Sequence, residues 1–299
     1  MLGAAMNKLL ISFLLFVLTN TVLAQSKPIR LIVPAGQGGQ IDIMCRDLEQ
    51  IVMKNLKRNL ICDFKPGAGG YLAVKEVAKT RTNEVLLTTL DASGLANMVL
   101  NYGDIAVDDF NYIAMLGTTS LGLAVAKNNK KSLTDIRTIA HNGIGGIQHY
   151  HTWLLTDRLK TAIIDVPFKS ATEMLTAVIG GHIDAIWGTA TALEAFDRTD
   201  KIDIVAVVGP RRLPQLPNVP TFGELGIKDF GTVSYWVLIS NNTADAETVK
   251  QLQDVLRTTP LPNSNIQFEQ NQFDQGRSIV YNRIQRQSQF VETIKQTTK

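Results

Sequence analysis

Three short glycine clusters are the part of this sequence best suited to binding a ligand. They occupy residues 36–39, 67–70 and 143–146, and each stands where a strand-like run gives way to a helix-like run. Glycine lets the backbone approach a ligand closely, and the first turn of a helix presents unpaired N–H groups with a partial positive charge. One such cluster is typical of an ordinary tight turn, but three in one chain indicate a cradle for a small anion.

A dinucleotide site is the first alternative reading of these glycines. Gly36 and Gly38 begin a G-x-G-x-x-G pattern, but Ile41 takes the place of the third glycine. Asp63 does lie near the distance at which an acidic residue would bind a ribose. Because the third glycine is missing, we expect no nucleotide cofactor.

Side chains that could perform catalysis are few. The four histidines are His141, His149, His151 and His182, and none belongs to an H-E-x-x-H zinc motif. No G-x-S-x-G nucleophile motif occurs either. His149 and His151 are two residues apart, so a helix would turn them in different directions. We therefore expect neither a catalytic set nor a metal site, and we assign these histidines to helix ends or to a pocket wall.

The elements that position the glycine clusters alternate between strand and helix. Strand-like runs are predicted at residues 28–33, 61–64, 85–89, 121–126, 163–168, 183–187, 204–208 and 234–240. Helices are predicted at residues 44–52, 71–79, 171–179, 246–256 and 278–295. Asp42 is predicted to cap the first of these helices. Such alternation indicates an α/β fold with parallel sheets covered on both faces.

The first 24 residues are predicted to be a removable signal peptide. Lys8 precedes an apolar run at residues 9–18, and small residues follow just before Gln25. The run is shorter than the roughly 20 residues that span a membrane, and no cysteine that could carry lipid follows the cleavage point. We expect an unanchored periplasmic protein, with secretion from the cell as the alternative.

The composition bounds the size of the protein and excludes one class of partner. Removal of the signal peptide takes only Lys8 from the 30 basic residues, which leaves 29 against 27 acidic residues. A net charge of about +2 is not the clustered basic surface that nucleic acid requires. The remaining 275 residues, 25–299, correspond to two domains or one large domain.

The chain has two cysteines, Cys45 and Cys62. Disulfides persist outside the cytoplasm, so the two could pair and close a short loop. Cys45 falls in a predicted helix and Cys62 in the strand that follows it, positions that also suit two buried thiols. The spacing fits no zinc pattern, and a bridge needs Cα atoms within about 7 Å, a distance that the sequence does not give. We expect free thiols.

Short motifs also follow one another in a fixed order along the chain. They are residues 27–34, Gly38 and Gly39 with Asp42 and Arg46, residues 65–70, Asp109 with Phe110, Gly143 and Gly145 with His149, residues 166–169, residues 180–184, and Arg211 with residues 216–226. Singly these motifs are weak. In this order, over residues 27–256, the chain resembles the solute receptors of tripartite tricarboxylate transporters, often called Bug proteins.

The resemblance implies a periplasmic-binding-protein type II-like fold, with two α/β lobes and a ligand cleft between them. Lobe 1 would combine residues 25–126 and 235–299, and lobe 2 would be residues 127–234. The C-terminal helices would thus return to lobe 1. Ligands of the family are mostly small carboxylates. The residues that the resemblance implies for the ligand site are Gly38, Gly39, Gln40, Gly70, Tyr71, Thr89, Ser93, Asn142, Gly145, Gly146, Lys169 and Asp184.

Departures from the family pattern lie near the implied pocket. They are residues 81–84, Gly146 and residues 168–170, and they leave the identity of the ligand open. Two of the charged candidates also have simpler interpretations. Asp184 could cap a strand end or bond to the opposite lobe, and Lys169 could be a solvated surface lysine.

These features together predict a receptor that captures a small carboxylate and delivers it to a membrane permease. We expect it to act as a monomer, without a cofactor and without catalysing a reaction. A sensor subunit that presents its closed form to a signalling protein is one alternative. An exported enzyme on the same scaffold is another, but the missing nucleophile–base set argues against it.

Overall fold

The computed structural model of this protein describes residues 27–129, 131–141, 143–168, 171–228, 230–231, 233–264 and 266–297. The signal peptide predicted at residues 1–24 lies outside the described residues, as do Asn142 and Lys169. Within the described ranges, no helix combines the length and the apolar character that a membrane span requires.

The described part of the chain folds into two five-stranded sheets with helices packed on them. The strands are β1 (Ile29–Val33), β2 (Leu60–Phe64), β3 (Leu86–Asp91), β4 (Phe110–Thr119), β5 (Leu121–Ala126), β6 (Thr138–His141), β7 (Ile164–Pro167), β8 (Ala185–Thr189), β9 (Ile202–Val207) and β10 (Ser234–Asn241). The α-helices are α1 (Gln40–Leu56), α2 (Tyr71–Lys79), α3 (Ala92–Tyr102), α4 (Ile147–Leu159), α5 (Ala171–Ile179), α6 (Ala190–Asp197), α7 (Ala246–Leu256) and α8 (Gly276–Thr297).

The two sheets have the same design. The first has the strand order β2-β1-β3-β10-β4, and the second has the order β7-β6-β8-β5-β9. In each sheet three parallel strands are followed by two strands that run antiparallel to their neighbours. Each sheet with its helices forms one α/β lobe, so the predicted two-lobe architecture is confirmed.

The chain passes from the first lobe to the second at Ser120, between β4 and β5. This is one strand earlier than the boundary predicted near Ala126. All six residues of β5 are buried, and the strand pairs with β8 and β9 of the second sheet. The apolar sequence of a strand buried on both faces does not reveal which sheet it joins. The chain returns to the first lobe just before Ser234, where β10 begins.

The central parallel strands of the first lobe, β1 and β3, are buried between two layers of helices. Leu31 of β1 belongs to a core that includes Leu48 of α1, whereas its neighbour Ile32 belongs to a core that includes Val74 of α2. Successive side chains of a strand point to opposite faces, so an apolar run such as β1 can bury both. The continuous apolar runs of the sequence therefore become central strands.

The last helix, α8, packs into both lobes. Val280 is buried in the core of the first lobe, and Phe290 and Val291 are buried in the core of the second lobe beside Tyr150. The expected return to lobe 1 thus holds for α7, whose Leu252 packs in the first lobe, but only for the first part of α8. A helix of 22 residues is about 33 Å long, enough to reach across both lobes.

Cys45 and Cys62 form a disulfide, so the expectation of free thiols is wrong. Cys45 lies on α1 and is fully buried, and Cys62 is the central residue of β2. α1 connects β1 to the parallel neighbour β2 and packs back on the sheet, which brings the two Cα atoms to 6.2 Å. This distance arises from the crossover packing, which the spacing of the cysteines does not reveal.

Candidate functional site

The glycine clusters at residues 36–39 and 143–146 occupy equivalent places in the two lobes. The first connects β1 to α1, and the second connects β6 to α4. In each sheet the helix that follows this strand packs on one face. The helix that follows the neighbouring parallel strand, α3 after β3 or α6 after β8, packs on the other. In open α/β sheets such a switch point opens a crevice at the carboxyl ends of the strands, where ligands bind.

The helices α1 and α4 begin without a side-chain cap. Their N-cap residues are Gly39 and Gly146, and neither supplies a hydrogen bond to the first turn. By contrast, the side chains of Asp91, Thr189 and Asp245 cap α3, α6 and α7. The first N–H groups of α1 and α4 thus retain the capacity and the partial positive charge to bind an anion.

Asp42 is not the N-cap that the sequence predicted. α1 begins at Gln40, so Asp42 is its third helical residue, and the extended backbone of Gly39 already starts the helix. The Asp42 carboxylate accepts a hydrogen bond from the backbone N–H of Gly38 at 2.8 Å and pairs with Arg46 at 3.2 Å. It therefore fixes the shape of the first glycine loop.

The first glycine loop borders open space. Gly38 and Gly39 are exposed, and a Cβ added to Gly38 would meet no atom of the described chain within 4 Å. A Cβ added to Gly39 would meet only the Gly36 carbonyl oxygen, at 3.9 Å. Gln40 is different, because its side-chain amide donates to the Ser264 carbonyl at 2.5 Å. The two glycines thus offer backbone to the cleft, while Gln40 ties α1 to the C-terminal segment.

The second glycine cluster, at residues 67–70, has a packing role. Gly70 has φ 98° and lies so close to Pro34 that a Cβ would come within 2.9 Å of the Pro34 Cβ. Its N–H donates to the Gly67 carbonyl. The hydroxyl of Tyr71 donates to the Asp104 carboxylate at 2.6 Å. The N–H of Gly70 and the hydroxyl of Tyr71, two residues that the resemblance implies for the ligand site, thus donate to other groups of the chain.

A polar stripe runs along α3 and faces the second lobe. It consists of Ser93, Asn97 and Asn101, which are four residues apart and therefore lie on one side of the helix. The Asn97 amide donates to the carbonyl of Gly145, and a Cβ on Gly145 would lie 3.7 Å from the Asn101 amide nitrogen. The two lobes are thus in contact where the α3 stripe meets the loop at residues 143–146.

Three polar atoms of β3 and α3 are buried and make no well-formed hydrogen bond within the described chain. They are Thr89 Oγ1, Ser93 Oγ and Asn97 Oδ1. The Ser93 hydroxyl still lies close enough to the Asp91 carboxylate to help lower the pKa of Asp91. Thr89 and Ser93 are fully buried, and Asn97 is 3% exposed. A buried polar group without a partner destabilises a protein by about 1–3 kcal/mol, so a bound polar ligand would relieve this loss. Hydroxyl groups can donate to a carboxylate.

Two of these three residues, Thr89 and Ser93, were selected from the sequence. Asn97 was not, although a signal exists in the spacing of Ser93, Asn97 and Asn101 along an otherwise apolar segment. The segment was not predicted to be a helix, so this spacing carried no meaning.

The carboxyl group of Asp91 is buried at the start of α3. The Asp91 carboxylate accepts hydrogen bonds from the N–H groups of Ser93 at 2.8 Å and Tyr235 at 3.0 Å. Burial raises the pKa of Asp91, and the nearby guanidinium of Arg283 opposes that rise. Because Asp91 already occupies this helix terminus, an anionic ligand is directed to the uncapped starts of α1 and α4.

The second wall contains Gly145 and Gly146. Gly145 is buried against α3 and has φ 78°, a left-handed conformation that glycine adopts readily. Gly146 donates to the Gly143 carbonyl and leads directly into α4. Asn142 and Lys169, which were predicted for the same wall, lie outside the described residues.

Behind this loop lie His141, His149 and Asp165. The Nε2 atoms of His141 and His149 lie 3.3 and 3.4 Å from the same carboxylate oxygen of Asp165. The two imidazole rings are stacked, with centroids 4.8 Å apart and an interplanar angle of 5°. Imidazole and carboxylate are common zinc ligands. However, the N–H of Gly145 donates to His149 Nδ1, so a neutral ring carries its proton on Nε2, where a cation would have to bind.

Asp184 does not reach the cleft, contrary to the prediction. It precedes β8 and therefore lies at the amino ends of the parallel strands, the edge opposite the glycine loops. Its carboxylate accepts hydrogen bonds from Lys131 and from the backbone N–H groups of Arg137 and Thr138. Burial opposes its ionisation, but these donors outweigh burial and lower the pKa of Asp184. Asp184 joins strand ends, as the simpler interpretation held.

Comparison with known proteins identifies the family. A family model described as "Tripartite tricarboxylate transporter family receptor" matches residues 44–299. A "UPF0065 protein in the TAR-I ttuE-ttuC' intergenic region" of Agrobacterium vitis is 27% identical over 246 residues, which are 78% of this chain and 71% of that protein.

Solved structures share the fold. The periplasmic binding protein BugD superposes with a TM-score of 0.78 at 18% identity, over 89% of this chain and 97% of BugD. MatC from Rhodopseudomonas palustris, solved with bound malate, gives a TM-score of 0.74 at 22% identity, over 88% of this chain and 98% of MatC. The uncapped glycine-led helices, the two-lobe fold and the family match agree, and the chain belongs to the receptor family of the tripartite tricarboxylate transporters.

Proposed function

We propose that this protein captures a small carboxylate between its two lobes in the periplasm and delivers it to a membrane permease of the tripartite tricarboxylate type. The observation that carries the proposal is the set of buried polar atoms Thr89 Oγ1, Ser93 Oγ and Asn97 Oδ1 on β3 and α3, which make no well-formed hydrogen bond within the described chain. The family match and the malate-bound MatC structure support the class of ligand. In this role the protein is a receptor and not an enzyme.

In the proposed site a carboxylate is held between the first turns of α1 and α4. The backbone of Gly38 and Gly39 forms one wall, the backbone of Gly145 and Gly146 forms the other, and Thr89 and Ser93 donate from the floor. A micromolar dissociation constant corresponds to about −8 kcal/mol. Helix-terminus interactions of about 0.3–2 kcal/mol each do not reach that value alone, so several hydrogen bonds must converge on the ligand.

Closure of the lobes follows from where these groups lie. Ser93 and Gly39 belong to the first lobe and Gly146 to the second, so a ligand that contacts all three binds the closed form better than the open form. A ligand shifts a conformational equilibrium only through such differential contacts. The closed form then presents a surface from both lobes to the permease.

A ligand screen tests the class of ligand. The protein is unfolded and refolded to remove bound molecules, and its thermal unfolding is measured with malate, citrate, adipate, glutamate and benzoate. An acid present at a hundredfold its dissociation constant should add about 2.7 kcal/mol, a shift of several degrees. If none of these acids shifts the transition of the emptied protein, the carboxylate assignment is wrong.

Substitutions then test the site with matched controls. Ser93→Ala should weaken binding of the identified acid about 10-fold or more, because a hydrogen bond to a charged group contributes about 1.5–3 kcal/mol. Thr88→Val is the control, since Thr88 Oγ1 is also buried and unpartnered. Thr88 is adjacent to Thr89 on β3, so its side chain points to the face of the sheet opposite to that of Thr89. Equal losses in the two variants would contradict the proposed site.

Gly39→Val tests the wall formed by the first loop. Gly39 has φ −92° and open space beside it, so valine is accommodated by the fold but projects into the cleft. We expect loss of binding with unchanged unfolding of the ligand-free protein. Gly223→Val, in the segment between β9 and β10, is the control, because a Cβ there makes only an ordinary contact with Thr221. Delivery is tested by uptake of the labelled acid in cells with and without this protein, and unchanged uptake would contradict it.

A further inference from the structure

We propose that Asp165, acting through the stacked imidazoles of His141 and His149, is a positioning residue that holds the loop at residues 143–146 in its ligand-binding shape. The claim about ligand affinity rests on the proposed function, whereas the claim about the loop stands on the contacts alone. The three residues come from different elements. His141 ends β6, His149 lies in the first turn of α4, and Asp165 belongs to the neighbouring strand β7.

His141 links Asp165 to the first glycine of the loop. An ionised carboxylate only accepts hydrogen bonds, and the hydrogen bond from His141 lowers the pKa of Asp165. The Nε2 atom of His141 lies 3.3 Å from Asp165 Oδ2, and its Nδ1 atom lies 3.2 Å from the Gly143 nitrogen and 3.0 Å from the Gly143 carbonyl oxygen. Both backbone groups of Gly143 therefore contact this ring nitrogen, which accepts from the N–H or donates to the carbonyl according to the tautomer.

The ring of His149 has one defined tautomer. Its Nδ1 accepts the N–H of Gly145 at 3.0 Å, so the proton of the neutral ring lies on Nε2, 3.4 Å from the same Asp165 oxygen. The Asp165 carboxylate thus faces the Nε2 atoms of both rings, and each ring contacts one glycine of the loop.

The backbone N–H groups of the second wall therefore have different partners. Those of Gly143 and Gly145 face histidine ring nitrogens, and that of Gly146 is bound by the Gly143 carbonyl. The N–H groups at the start of α4 remain for the ligand, because Gly146 caps that helix without a side chain. The loop also carries Gly145 against Asn97 of the first lobe, so its shape affects lobe contact as well as ligand binding.

The tautomer of His149 distinguishes this role from that of a metal site. A neutral imidazole binds a cation through its unprotonated nitrogen, and in His149 that nitrogen accepts from the Gly145 N–H and does not face Asp165. Zinc added to the protein should therefore bind no more tightly than to a variant with His141→Ala and His149→Ala. Zinc binding that depends on these two histidines would overturn the assignment.

Nuclear magnetic resonance tests the loop claim without any ligand. In the ¹⁵N-labelled full protein, the ring nitrogens of His149 should show the Nε2–H tautomer. His149→Leu and Asp165→Leu should each accelerate amide hydrogen exchange at Gly145 by roughly 3- to 10-fold, the effect of losing one hydrogen bond. His149→Asn should restore slow exchange, because its side-chain oxygen can accept in place of Nδ1. A protonated Nδ1 on His149, or unchanged exchange in both Leu variants, would overturn the proposal.

Affinity for malate, measured by calorimetry, is the second readout. We expect Asp165→Leu and His149→Leu to weaken binding about tenfold, with His149→Asn close to the unsubstituted protein. His182→Leu is the matched control, since His182 is exposed and lies after α5. If the Leu variants exchange the Gly145 amide faster, but malate and the other acids of the screen fail to bind even the unsubstituted protein, the proposed function is wrong and the role of Asp165 in the loop stands. If exchange at Gly145 is faster but the affinity of the variants for malate is unchanged, the link between the loop and ligand binding is wrong.

Discussion

At the scale of single residues, the site depends on hydrogen bonds and charge pairs between groups that belong to different elements. The pair of stacked imidazoles behind the second glycine loop is the strongest case, because the two rings face one carboxylate and two backbone N–H groups. Protonation of His149 would replace the acceptor of the Gly145 N–H with a donor that faces it. The loop should therefore be sensitive to acid.

We expect the free energy of unfolding to fall as the pH is lowered from about 6.5 to about 4. Burial, together with the nearby His141, lowers the pKa of His149 to about 4, and the Asp165 carboxylate opposes this shift. An unfolded histidine titrates near 6.5, so between the two values the unfolded state binds more protons and stability falls with falling pH. Urea unfolding across this range measures the effect. His149→Asn should flatten the slope in that window, and an unchanged slope would contradict the assignment.

Some of the site residues could be predicted from the sequence, and others could not. Glycine between a strand and a helix lets the backbone approach a ligand at the start of the helix. Four residues were predicted on this ground, and all four lie at the two switch points: Gly38, Gly39, Gly145 and Gly146. Asp184 was misassigned, because its side chain lies at one end of a parallel strand and its sequence does not indicate which end faces the cleft. Orientation of that kind depends on partners such as Lys131, which lies 53 positions away.

At the scale of elements, the disulfide joins α1 to the edge strand of the first sheet. Cys45 lies in the second turn of α1, whose first turn faces the cleft, and Cys62 is in β2. The bridge closes a loop with a sequence separation of 17, so in the chain-entropy account it contributes about 3 kcal/mol. It therefore stabilises the helix that presents the first wall of the site.

We predict that a reductant lowers the free energy of unfolding of this protein by about 3 kcal/mol. Denaturation in urea, with and without the reductant, measures the difference. The variant with Cys45→Ala and Cys62→Ala is the control, and its unfolding should not respond to the reductant. An equal response in both proteins would mean that the reductant acts elsewhere.

The elements also show why part of the fold escaped prediction. The strands β1, β2 and β10 were found because apolar runs bounded by polar residues are typical of buried strands. The helix α4 was not, since its buried residues include Gln148, Tyr150, His151 and Leu154 and follow no simple alternation of polar and apolar positions. The first turn of α3 contains Ser93 and Gly94, two residue types that are common in loops, and the cap that Asp91 provides is visible only in the structure.

At the scale of the whole molecule, α8 couples the two lobes. Its Val280 and Phe290 lie in different cores, and Lys295 donates to the Leu100 carbonyl at 2.8 Å. The lobes also meet at the α3 stripe. A motion that opens the cleft must therefore accommodate a helix that crosses it.

We predict that Phe290→Ala destabilises the protein by about 3–5 kcal/mol, the usual result of removing a buried phenylalanine side chain. Phe290 contacts the rings of His149, Tyr150 and Trp153, so the loss falls on the second lobe. Urea unfolding followed by tryptophan fluorescence measures it. Glu292→Ala, exposed on the same helix, should have little effect. A change below 1 kcal/mol for Phe290→Ala would show that α8 does not support that core.

The position of α8 in the chain determines when the two lobes can finish folding during synthesis. This helix follows every other described element, and yet it supplies Val280 to one core and Phe290 to the other. Neither lobe can complete its packing while residues 276–297 are still inside the ribosome. The growing polypeptide therefore stays incompletely folded at least until this helix has left the ribosome, a state in which it can still be threaded through a narrow channel.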